Sequence, residues 1–218
     1  MRSTILRKVA AVAVVAALAG CVAEAPTAPA VSANAPQASL LGGLLGVVGA
    51  VVGTVNDLLT STVKLLTSPV KVATLRRTTP LARNVVASKV IGSAGGVLTL
   101  PGTGLTLTVA PGAVSVPTTF SATAYAGSAI AYDFAPHQKF AAPIVVTQSF
   151  DGTNAASLLA NGQKLEGGYF ARTSDVEWIN GAGTTSELLS TRINGSSSVS
   201  IGVLHFSGYL MATGRSDF

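Results

Sequence analysis

The chain has 218 residues, which favours one domain with a sound core plus a tail over two domains. Only 11% of them are charged while 48% are hydrophobic and 23 are Gly, a mixture that suits short strands and tight turns better than a charged-face helical bundle. The formal charge of +5 counts Arg2, Arg7 and Lys8 in a segment expected to be removed, which leaves 5 − 3 = +2 and argues against a nucleic-acid partner.

Residues 1–20 combine a basic start with an apolar run from Val9 to Leu18 and the small pair Ala19-Gly20, the pattern of a secretory signal too short to span a bilayer. Cys21 follows, the single cysteine of the chain, so no intramolecular disulfide is expected. With two histidines besides, no zinc cluster is expected, and neither a metal nor a cofactor is called for.

The run Leu18-Ala19-Gly20-Cys21 resembles the lipobox of bacterial lipoproteins. That resemblance implies cleavage before Cys21, lipid attachment at its thiol, and a partner in the membrane itself. The expected location is the bacterial cell envelope, facing the periplasm or the exterior. Val22 stands where an aspartate would mark inner-membrane retention under the enteric sorting rule, so the outer membrane is preferred. Each buried methylene contributes about 0.8 kcal/mol, so several acyl chains hold where one does not.

Residues 21–39, rich in Ala and Pro, read as a disordered tether. Residues 40–67 read as an apolar to amphipathic helical segment, with Gly42/Gly46 and Gly49/Gly53 spacings and with Val55, Leu58, Leu59, Thr62, Val63 and Leu66 at helical spacing. Three placements stay open for it: on the membrane, against another copy, or over an edge or face of the following domain. The membrane-proximal placement is preferred because water does not tolerate so large an uncovered apolar surface. Residues 68–90, broken by Pro69 and Pro80 and carrying Lys71, Arg76, Arg77, Arg83 and Lys89, read as a solvated basic linker.

From residue 91 the period changes to two. Leu105, Leu107 and Val109 alternate with Thr106 and Thr108, and Phe120, Ala122 and Ala124 alternate with Ser121 and Thr123. Further strands are predicted at 96–100, 130–134, 144–150, 165–172, 176–180, 187–193 and 199–212. Turns are predicted at Pro101-Gly102, Pro111-Gly112, Asp151-Gly152, Asn161-Gly162, Asn180-Gly181 and Asn194-Gly195. The whole predicts an all-β, antiparallel β-sandwich over 91–214.

The segments Gly95-Gly96-Val97-Leu98-Thr99-Leu100 and Leu105 to Val114, with Pro111-Gly112-Ala113 after an alternating strand, resemble the ZU-five domain, named after zonula occludens proteins and an uncoordinated-phenotype netrin receptor. Tyr132-Asp133-Phe134-Ala135-Pro136-His137, with Phe140 and Pro143, is similar to the form of that family found in bacterial lipoproteins. The resemblance covers residues 90 to 150, with an echo at His205 to Tyr209. Ala110 stands where the family often has a second proline, and Gln138 where a glycine is usual. What the resemblance implies is a β-sandwich interaction module, with no ligand-binding residue carried over.

His205-Phe206-Ser207 is the one candidate for catalysis, because ZU-five modules of a death-domain protein self-cleave at that tripeptide. Ser207 Oγ would attack the Phe206 carbonyl while His205 assists proton transfer, the peptide bond would give way to an ester with the Ser207 amine released, and water would then hydrolyse that ester. The preferred reading is that these residues continue the last strand, since the tripeptide alone supplies neither strain nor an oxyanion site. His137 reads as a loop hydrogen-bonder; Asp133 and Asp151 would bind calcium only if loops brought them together, and Asp151-Gly152-Thr153-Asn154 lacks the remaining ligands and reads as a turn. Tyr125, Tyr132, Tyr169, Trp178 and Tyr209 read as packing residues, with a sugar platform the weaker reading. The expected function is a tethered, non-enzymatic interaction module whose partner is an envelope protein or a glycan. Self-cleavage at Phe206-Ser207 is the alternative and a carbohydrate-binding surface the third.

Overall fold

A computed structural model describes residues 63–215 of the chain. Cys21, the signal segment, the tether and residues 40–62 lie outside the described residues.

The described chain is all-β with one short α-helix and one 3-10 turn at Thr173–Asp175. Its strands are β1 (Val63–Thr74), β2 (Arg76–Leu81), β3 (Val85–Ile91), β4 (Gly96–Leu100), β5 (Leu105–Val109), β6 (Thr118–Ala124), β7 (Gly127–Ala129) and β8 (Ala131–Ala135). Then come β9 (Lys139–Ser149), α1 (Ala155–Ala160), β10 (Glu166–Phe170), β11 (Val176–Glu177), β12 (Ala182–Leu189), β13 (Arg192–Asn194), β14 (Ser198–His205) and β15 (Gly208–Arg215). An eight-stranded sheet runs β1-β12-β10-β15-β8-β6-β3 with β11 on β12, a five-stranded sheet runs β13-β14-β9-β5-β4, and β2 pairs with β7. Every pairing is antiparallel.

The two larger sheets share one core. Leu98, Leu107, Val146 and Ile201 come from the five-stranded sheet, and Phe120, Phe134, Tyr209 and Met211 from the eight-stranded one. This is the sandwich that the period-two alternation predicts: in β5 the three apolar residues are buried and the two threonines half-buried. All six predicted turn glycines, from Gly102 to Gly195, take positive φ, the backbone state in which a side chain would be strained.

A second apolar cluster lies on the other face of the eight-stranded sheet. β1 pairs with β12 along most of its length and reaches β15 at its end, while β10 joins β12 to β15, so these four strands close on themselves. Val72, Phe170, Val176, Leu210 and Ala212 fill this end. Space for Leu210 depends on glycine: a Cβ on Gly168 would fall 2.7 Å from Leu210 Cδ1, and one on Gly183 2.6 Å from Cδ2.

Four expectations need correction. Residues 63–67 belong to β1 rather than to a helix, because Val63, Lys64 and Leu65 pair with Leu189, Leu188 and Glu187. Residues 68–90 are not a solvated linker but supply strands, so the sheets include residues well before 91, from Val63 on among the described residues. Pro69 and Pro80 are tolerated there because each falls within a shift of register, between Leu65 and Val70 and between Arg76 and Leu81. The single strands predicted at 187–193 and 199–212 are each two strands, β12/β13 and β14/β15, because the chain crosses from one sheet to the other at Ser190-Thr191 and at Phe206-Ser207. The helix α1, with Leu158 and Leu159 packed on the core, was not predicted.

Candidate functional site

His205 therefore ends β14, paired with Lys139, and Phe206-Ser207 forms a corner before β15 begins at Gly208. Phe206 N–H donates to Gln138 O at 3.1 Å, and Phe134 N–H donates to Ser207 O at 3.1 Å, so the backbone is held by β8 and the segment entering β9. The Phe206 ring is 2% exposed and meets Phe140, Phe134 and Phe120 at centroid distances of 4.7, 5.2 and 5.6 Å. Tyr209 Oη donates to His205 O at 2.8 Å and lies 3.2 Å from Nδ1, while Tyr169 sits edge-on to the imidazole at 5.4 Å. Burial raises the Tyr209 phenol above its ordinary pKa, and nearby Glu187 adds to the shift, so it remains a donor. The corner is thus built by aromatic packing and backbone hydrogen bonds.

A shallow groove of about 520 Å³ opens over this corner, with His137, Lys139, Tyr169, His205 and Ser207 on its walls. His137 has no acidic residue directly beside it in the sequence, but its Nε2 lies 3.6 Å from Oδ1 of Asp133, four residues earlier. Asp151 occupies a turn beside Gly152. Among the described residues, no three His, Cys, Asp or Glu side chains are grouped to hold a metal ion.

The five aromatic residues do not make one platform. Tyr132 and Tyr209 are core residues, and Tyr169 lines the groove. Tyr125 and Trp178 pair elsewhere at 4.5 Å, with Trp178 Nε1 donating to Thr173 O at 3.1 Å.

No protein-family model matches the chain. No curated protein matches it either. The site has to be read from its own geometry.

Two further features bear on the site. Arg77, taken for a linker cation, is 8% exposed; its guanidinium donates to Ala129 O and, at 3.0 Å, to Tyr132 Oη. Tyr132 Oη in turn donates to Gln148 Oε1 at 2.5 Å, so a polar chain ties β2 and β7 through β8 to β9. Burial raises the Tyr132 phenol and the Arg77 charge opposes that shift. Nothing local marks Arg77 as buried; its partners lie 52 and 55 residues away.

The other feature is β3, which ends the eight-stranded sheet and, among the described residues, pairs only with β6. Val86 and Val90 face outward from it and are 61% and 62% exposed. Lys89 reaches from its opposite face to donate to Val97 O at 2.8 Å, bridging the two sheets at their margin. The Val-Val-Ala-Ser-Lys-Val-Ile run of β3 alternates well enough to have been read as a strand, but its position after two prolines and between basic residues obscured it.

Proposed function

We propose that this chain is an envelope lipoprotein, tethered through lipid on Cys21, whose ZU-five-like sandwich is a non-enzymatic interaction module. The observation that carries the interaction reading is the β3 edge, where two valines stand outward on a strand whose backbone has, among the described residues, no partner on one side. Such an edge is a ready template for another strand. Lys89 is the single charge on the strand, the kind of residue that restrains indiscriminate pairing while leaving a specific partner possible.

The test is the intact mass of the protein extracted from membranes of a lipoprotein-processing bacterial host. The expected result is a chain beginning at Cys21 with acyl additions and an uncut C-terminus. An unmodified Cys21 overturns the tether. Loss of residues 207–218, abolished by Ser207→Ala, would replace the non-enzymatic reading with self-cleavage at Phe206-Ser207, His205 assisting.

A further inference from the structure

The β3 edge complements itself. Val86, Ser88 and Val90 share the outward face, opposite Thr123, Ser121 and Thr119 of β6. All three are exposed, whereas Val85 and Ala87 are half-buried and Ile91 is buried on the inner face. Two antiparallel copies related by a twofold axis through Ser88 would set each Val86 against the other copy's Val90, and Ser88 against Ser88. Lys89 would then oppose Ala87.

We propose that the partner of this edge is β3 of a second copy, paired antiparallel about Ser88 to join the two eight-stranded sheets. The inference rests on the interaction reading above and gives it a partner. Registers that keep the outward faces together have their axis on a residue. Centring on Lys89 sets ammonium against ammonium, a destabilising cross-strand pair. Centring on Ala87 leaves Val90 opposite Asn84. Only the Ser88 axis brings both exposed valines into cross-strand contact and keeps the charges apart, with each Lys89 held on its own Val97 carbonyl. The contact is isologous, so it closes at two copies. A strand of seven residues spans about 24 Å. That is a small interface, so the dimer is weak and concentration-dependent.

The experiment uses the full chain with Cys21→Ala as background and single cysteines on β3, under mild oxidation. Ser88→Cys is expected to give a disulfide-linked dimer, because directly opposed Cα atoms fall within disulfide range. Val86→Cys alone and Val90→Cys alone are expected to stay largely monomeric, and a mixture of the two to cross-link. In sedimentation, the uncrosslinked chain is expected to dimerise with rising concentration, and Val86→Lys with Val90→Lys to abolish this without unfolding. Equal cross-linking at 86, 88 and 90 overturns the register. A chain that stays monomeric overturns the second copy; if a photocrosslinker at Ser88 then captures a different envelope protein, the interaction reading survives, and if it captures nothing, that reading falls with it.

Discussion

The two ends of the eight-stranded sheet solve the same problem in opposite ways. At one end β1 turns to reach β15, so that β1, β12, β10 and β15 close and leave little free edge between them. At the other, β3 has one side unpaired among the described residues and carries two exposed valines. Closure demands tight sequence constraints: Gly168 and Gly183 leave just the room that Leu210 fills. The open end demands only that a lysine and two small residues, Ala87 and Ser88, lie between exposed valines. A closed edge is fixed by packing, whereas an open one is restrained by charge and remains available.

The largest expected effect comes from breaking the closed end. Leu210→Ala removes the fully buried side chain at its centre and is expected to cost about 2–5 kcal/mol, measured by urea unfolding. Next is the polar chain that ties β2 and β7 to the sandwich. Arg77→Met keeps the stem but leaves the Ala129 carbonyl and the Tyr132 hydroxyl without their cationic donor, an expected loss of about 1.5–3 kcal/mol in the same assay. At the open end, Val86→Thr with Val90→Thr is expected to shift unfolding by no more than about 0.5 kcal/mol per site, because both residues are exposed. If that pair costs as much as Leu210→Ala, the two ends do not differ in the way described.

The smallest effect is at the rim of the closed end, where Lys71 Nζ lies 2.8 Å from Glu177 Oε1. The hydrogen bond from Lys71, its charge, and a hydrogen bond from Asn180 hold the Glu177 carboxyl below its ordinary pKa. A carboxyl depressed on folding stabilises the fold above its unfolded pKa and loses that contribution as pH falls through the folded one. Glu177→Gln is therefore expected to lower thermal stability slightly at neutral pH and not at all at strongly acidic pH. The pair is solvent-exposed, so added salt should shrink even that difference.

Much of the sandwich was legible. β5 and β6 announce themselves by alternation, and Gly95-Gly96, Pro101-Gly102 and Pro111-Gly112 bound β4 and β5. The closing strand β1 was not, because Val63 and Leu66 sit three apart, a spacing that a helix and a bulged strand share over so short a stretch. His205, Phe206 and Ser207 could be singled out by type, yet their corner was invisible. Phe206 is apolar at a position where β14 could equally have continued, and only its packing on Phe140, Phe134 and Phe120 shows that the chain changes sheets there. Arg77 looked like a solvent cation because burial of a guanidinium depends wholly on distant acceptors.

Local rules settled what the sequence determines by itself: strand character, which follows from period-two alternation of side chains, and the turns, which follow from the freedom of glycine at positive φ. The tertiary structure alone decided which strand joins which sheet, which edge closes and which stays open. Those choices rest on pairs such as Val63 with Leu189 and Thr74 with Ala212, far apart along the chain. No window of sequence contains both partners, and the free energy that selects them is released only when the two sheets pack.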